Sequence, residues 1–336
     1  MKSIVRNVLS SCIIATASAG AIAQTLEPFT VQLKWLPQSQ FAGFYVAKEK
    51  GFYKDVGLDV TVKPGGPTIN PSQVIASGGA DVIVDWMPSA LALREKGLAI
   101  SNIAQVFSRS GMMLTCRKDS GIKTPTDFKG HTLGVWFAGN EYPFLSWMDK
   151  LGFKRNGGLD GVTVLKQGFN VDPLLQKKAD CISTMTYNEY LQVLAGGMTA
   201  DQLLTFKYED QGVATLEDGI YATERAINSP TQADKLARFV KATLRGWEYA
   251  VKNQDESVGI VLKVDGAGSS DKLHQTRMLQ EVAKLLDTGK TFGRLDSKAY
   301  DRTVDTLMAG KSDPVITKKP SNAWTHKIWE LSLIHI

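Results

Sequence analysis

The side chains with chemistry to offer stand where apolar runs stop. Asp85-Trp86 closes one such run, Trp35 ends another ahead of Gln38, Gln40 and Phe41, and Tyr187-Asn188-Glu189 follows a third. A carboxylate at a strand end can accept hydrogen bonds from an amino group, so Asp85 and Glu189 are the candidate recognition acids. Glu189 is the foremost of them, with Tyr187 stacking beside it and Trp86 stacking beside Asp85. Asp85 could equally cap the helix that follows, and Glu189 could be a solvated charge favoured at a helix start. Gly65 in Pro64-Gly65-Gly66-Pro67 lacks a side chain, so the backbone there can approach a ligand, unless the segment is a plain turn. Gly139, Asn140 and Tyr142 would add backbone N–H groups and an aromatic lid, and the Gln167–Asn170 stretch places Asn170 in the same set. Glu141 and the lack of a lysine in the 138–142 turn oppose an anion and point to an uncharged or cationic ligand. Trp35, Phe41, Trp86, Trp136, Phe137, Tyr142 and Tyr187 all fall at strand ends, which favours a flat aromatic ligand. His131, His274, His326 and His335 have no partner at ligand spacing, so no metal site is expected, and no cofactor is expected either.

The elements that must position these groups alternate. Strands are predicted at 31–35, 58–62, 81–86, 132–137, 162–167 and 181–186, with helices at 41–50, 72–78, 88–97, 143–151 and 173–178 between them. Residues 103–117 read as one extended stretch, after which the alternation starts afresh at Thr124-Pro-Thr-Asp. The last third is helical: Ser229-Pro-Thr-Gln reads as a capping box launching a helix with Leu236, Phe239, Val240, Thr243, Leu244, Trp247 and Val251 on one face. The restart of βαβ units predicts an α/β protein of two lobes, residues 24–116 with 215–330, and 117–214. No flexible tether separates them, so crossing strands near Cys116 to Lys118 and Ala214 to Ile220 should join them. In such sheets ligands sit beyond the carboxyl ends of strands, which is where the candidates lie.

Lys2 and Arg6, the apolar run from Val8 and the closing Ala21-Ile22-Ala23 read as an export signal over residues 1–23, cut before Gln24. Leu9-Ser-Ser-Cys12 offers a lipid-anchored alternative, although the apolar region follows Cys12 instead of preceding it. Removing 23 of 336 residues leaves 313. Two positive charges go with them, so the net charge falls from +5 to +3. That balance gives no case for a nucleic-acid partner, and no later stretch has the roughly 18 apolar residues of a membrane span. Cys116 and Cys181 could pair after export or stand as two packed thiols. Ser332 to Ile336 continues no helical pattern.

Several segments together resemble the NMT1/THI5-like family, the solute-binding proteins related to thiamine-pyrimidine synthases. They are L-K-W-L-P (33–37), F-Y-V-A-K-E-K-G-F-Y (44–53), G-L-D-V (57–60), A-S-G-G-A-D-V (76–82), D-F-K-G-x-x-L-G-V (127–135) and Gly168-Phe-Asn-Val. The resemblance implies a type II periplasmic-binding-protein fold whose cleft closes on a ligand, with Trp35 stacking on a flat heterocycle. It implies a monomer that passes a thiamine-precursor pyrimidine, of hydroxymethyl or formylamino type, to the membrane subunits of an ABC importer. Riboflavin, sulfonate or nitrate are the alternatives within the binding class. The family also holds a synthase that needs a lysine to form a Schiff base with pyridoxal phosphate and a histidine four residues later. Those positions read Asp85 and Ser89 here, so the resemblance implies a binding protein and not that enzyme.

Overall fold

The computed structural model describes residues 25–158, 160–264, 271–309 and 314–334. The expected leader, with its Cys12 alternative, lies outside them, as do His335 and Ile336. Among the described residues, ten strands form two five-stranded sheets. The first contains β1 (Glu27–Gln32), β2 (Leu58–Lys63), β3 (Val82–Asp85), β4 (Ile100–Gln105) and β10 (Gly219–Thr223) in the order β2-β1-β3-β10-β4. The second contains β5 (Met112–Arg117), β6 (Thr132–Val135), β7 (Thr163–Lys166), β8 (Cys181–Met185) and β9 (Leu203–Lys207) in the order β7-β6-β8-β5-β9.

Within each sheet one strand opposes its neighbours. β10 runs antiparallel to β3 and β4, and β5 runs antiparallel to β8 and β9, while the other pairs are parallel. Both are the strand laid down just after the chain changes lobes. The first crossing therefore occupies 106–111 and the return 208–218.

This moves the expected first boundary. β5 belongs wholly to the second lobe, so the crossing precedes Cys116 to Lys118. The long extended reading hid the break because every residue of β4 and of β5 is buried, which removes the alternation that marks a strand's end. β9 carried no such signal and went unpredicted.

Cys116 and Cys181 sit directly opposite each other on β5 and β8 and form a disulfide inside the second sheet. Against the first sheet lies the helix Pro230–Lys252, whose inward face carries Leu236, Phe239, Val240, Leu244 and Trp247. It crosses the helix Ala42–Glu49 at Gly43 and Gly246. A Cβ on Gly246 would stand 2.2 Å from the Gly43 carbonyl oxygen, so the missing side chain is what lets the backbones meet. The predicted capping box at Ser229 is not formed: its hydroxyl faces Thr231 Oγ1 at 3.3 Å and makes no bond to the helix backbone. At Thr124 the box is present, over a short 3-10 turn. The chain's end is more regular than its sequence pattern indicates. Lys327–Ile334 is helical, with Ile328, Trp329 and Ser332 buried. Among the described residues no helix is long and apolar enough to cross a membrane.

Candidate ligand-binding cleft

The carboxyl ends of four strands meet between the lobes. From the first lobe, Lys34 and Trp35 follow β1, with Gln38 and Gln40 beyond them, and Trp86 follows β3. From the second, Trp136 and Asn140 follow β6, while Met185, Tyr187, Asn188 and Glu189 end or follow β8. The free interior is about 30 Å³, room for little more than a water molecule, so the two faces stand nearly in contact. Trp35 and Trp136 face each other across it, ring centroids 6.5 Å apart and tilted by 60°. A planar ring sandwiched between two parallel aromatics needs roughly 7 Å, twice the optimal carbon–carbon contact. Seating one here requires the lobes to part slightly and the Trp35 ring to turn, while Trp136 is held by its Nε1 bond to the Gly168 carbonyl at 2.9 Å.

Two acceptors stand in the lining, Glu189 and Asn140. Glu189 is buried, with Oε2 taking the Met185 amide at 3.0 Å and Oε1 taking Asn188 Nδ2 at 2.8 Å. Burial pushes its carboxyl up to about 7, against those hydrogen bonds. Asn140 donates from Nδ2 to the Phe137 carbonyl at 3.0 Å, which turns its Oδ1 the other way; that oxygen is buried and, among the described residues, has no partner. The cation in the lining, Lys34, is tied at 2.6 Å to Asp85.

Behind this wall lie two carboxyls on the return crossing. Asp218 accepts from Gln40 Nε2 at 2.6 Å and Trp86 Nε1 at 3.0 Å, and burial pushes it up to about 6. Glu217 accepts from Ser110 Oγ and, at 2.9 Å, from the Gly111 amide, joining the two crossings; burial pushes it up to about 8.

Five sequence candidates therefore come together in the lining: Trp35, Trp86, Asn140, Tyr187 and Glu189. The other six lie elsewhere. Phe41 is fully buried in the first lobe's core. The Gly65 amide donates to the Trp35 carbonyl at 2.8 Å, and a Cβ there would stand 2.4 Å from the Leu33 carbonyl oxygen, so its close approach is to its own chain. Asp85 has no exposed surface: Lys34, the Trp86 amide, Ser72 and Ser89 occupy its oxygens, and it neither faces the cleft nor caps the next helix. A buried carboxylate must be satisfied internally, and this one is. Gly139 touches Ser89 of the opposite lobe, Tyr142 packs half-buried against the first lobe's Met87–Leu91 cluster, and Asn170 is exposed on the surface. Sequence reading passed over Lys34, Met185, Glu217 and Asp218. For the last pair the available signal was two adjacent acids leading an otherwise apolar strand.

The NMT1/THI5-like family pattern matches residues 38–257, well over half of the chain. The chain belongs to the NMT1/THI5-like family. Across 306 residues it is 24% identical to the formylaminopyrimidine-binding protein of Halalkalibacterium halodurans, a match covering 90% of each chain. It is also 24% identical over 308 residues to the riboflavin-binding protein RibY of Chloroflexus aurantiacus, covering 88% of this chain and 84% of that one. Among solved structures, the periplasmic aliphatic sulphonate binding protein SsuA of Escherichia coli superimposes with a TM-score of 0.62 at 13% identity, over 88% of this chain and 95% of that one. The fold is that of the type II periplasmic binding proteins, as the two sheets with their two antiparallel entry strands require.

Proposed function

We propose that this member of the NMT1/THI5-like family is the periplasmic solute-binding component of an ABC importer. Its solute, in this reading, is a thiamine-precursor pyrimidine of the hydroxymethyl or formylamino type. The observation that carries the reading is the pairing of buried acceptors with aromatic walls. Among the described residues the Asn140 Oδ1 atom lacks a partner, the Glu189 carboxyl lies in the same lining, and Trp35, Trp136, Trp86 and Tyr187 stand around them. An orphaned buried carbonyl oxygen favours a ligand that brings a donor, and an aminopyrimidine brings an amino group on a flat ring. Anions fit poorly, because Lys34, the cation in the lining, is already engaged by Asp85. The full-length likeness to a formylaminopyrimidine-binding protein agrees with this chemistry. Catalysis of the synthase kind is not part of the proposal. The resemblance puts Asp85 and Ser89 where a Schiff-base lysine and a histidine would be required, and Ser89 Oγ donates to Asp85 Oδ2 at 3.2 Å.

A thermal-shift series with hydroxymethylpyrimidine, formylaminopyrimidine, riboflavin, taurine, nitrate and pyridoxal phosphate tests this. Ligand at 100 times its Kd adds roughly 2.7 kcal/mol, a readily measured rise. A rise with a pyrimidine that disappears in Trp136→Ala and Glu189→Ala is expected. A rise confined to riboflavin or to an anion would overturn the solute assignment, and an absorbance band from bound pyridoxal phosphate would reopen the enzyme reading.

A further inference from the structure

One histidine outside the cleft reaches across the lobes to it. His274 lies in the first turn of the helix Lys272–Ala283, whose N-terminus is capped by Asp271 through the Leu273 amide at 3.1 Å. The neighbouring Gln275 pins that helix to the first lobe, its buried Oε1 taking the Ser39 amide at 2.7 Å. His274 is thus carried by the first lobe, yet its Nε2 stands 2.9 Å from Oδ1 of Asn188, which belongs to the second lobe and lines the cleft. That Asn188 oxygen can only accept, so Nε2 carries the proton. Burial holds the imidazole below the usual histidine range, consistent with a neutral ring.

The bond does not end at Asn188. Its Oδ1 also accepts from Gln192 Nε2 at 3.0 Å, and two donors on one side turn the amide so that Nδ2 points to Glu189 Oε1 at 2.8 Å. Resting on the solute-binding reading above, we propose that His274 is a positioning residue of the cleft, fixing the Glu189 carboxyl through Asn188 only while the lobes stand together. Opening the cleft removes one of the two donors on Asn188, and the amide is then free to turn away from Glu189. Closure and the aim of the recognition carboxyl become one event, and a solute that fails to draw the lobes together meets a poorly aimed carboxyl.

The test compares the unsubstituted protein with His274→Ala and His274→Gln, a glutamine being able to present an N–H near the position of Nε2. Dissociation of hydroxymethylpyrimidine is followed by stopped-flow tryptophan fluorescence, and ligand-free small-angle scattering is recorded alongside. Loss of one such hydrogen bond predicts roughly tenfold faster release from His274→Ala, with His274→Gln within about twofold of the unsubstituted protein. Unchanged release from His274→Ala, or an equal loss in both variants, overturns the proposal. Should hydroxymethylpyrimidine fail to bind the unsubstituted protein, the solute assignment falls and scattering decides the latch. A larger radius of gyration in His274→Ala alone supports it, and three identical profiles overturn it.

Discussion

The indole nitrogen of Trp86 donates to Asp218 Oδ1 at 3.0 Å, joining the end of β3 to a residue 132 positions later on the return crossing. The same carboxyl receives Gln40 Nε2 at 2.6 Å. One hinge residue therefore holds two side chains of the cleft wall.

Asp218→Ala should leave both donors buried and unpaired, at about 1–3 kcal/mol each. Chemical denaturation should show that loss, and affinity for the pyrimidine should fall with it. Asp218→Asn keeps one acceptor but turns an amide N–H toward the other donor, so an intermediate loss is expected. Wild-type stability in the alanine variant would mean that solvent reaches this carboxyl.

Stability should decline as pH rises through the neutral range. Glu217, Glu189 and Asp218 have folded pKa values raised to about 8, 7 and 6, from ordinary values of 4.5, 4.5 and 3.8. A raised carboxyl is protonated in the folded chain when the unfolded one has already ionised. Its contribution is complete below the unfolded pKa and is lost as pH climbs through the folded one. Each group contributes a slope on the order of 1 kcal/mol per pH unit inside its own window. Melting temperature should thus fall between pH 5 and pH 8.5, and Glu217→Gln should flatten the upper part of the curve. A profile that rises over that range would contradict the burial of these groups.

Asn140→Ala separates binding from folding. It deletes an orphaned acceptor together with one hydrogen bond to Phe137, so the effect on stability should be near zero. Pyrimidine affinity should drop roughly tenfold if Oδ1 takes the solute's amino group. Isothermal titration reads the difference, and equal affinity in the variant would remove Asn140 from the site.

Reduction of the Cys116–Cys181 bond should destabilise the second lobe. The two cysteines are 65 residues apart, and closing a loop of that size in the unfolded chain is worth about 4 kcal/mol. A Cys116→Ser, Cys181→Ser double variant melted beside the parent measures it. No change would point to residual structure in the unfolded state.

Much of the cleft was legible because a parallel strand presents its following loop at one edge of the sheet, and Trp35, Trp86, Trp136 and Tyr187 obey that rule. Asp85 shows where the rule fails. An acid at a strand end looks the same whether it meets a ligand or a lysine, and Lys34 is 51 positions away. The roles of Glu217, Asp218 and His274 were illegible for the same reason. Their partners Ser110, Trp86 and Asn188 are brought in by the crossings, and no local period records a contact between distant segments. At Phe41 and Tyr142 the type was right for stacking, but packing against the first lobe claimed both rings.

The placement of β10 also bears on how the chain assembles. β4 pairs with no other strand of its sheet, so its edge is uncovered until residues 219–223 arrive. By then every strand of the second sheet, residues 112–207, has already been made. Contacts of such long sequence separation form slowly, so the lobe built from the middle of the chain should consolidate first. The lobe built from both flanks would then close around β10 as the late step of folding.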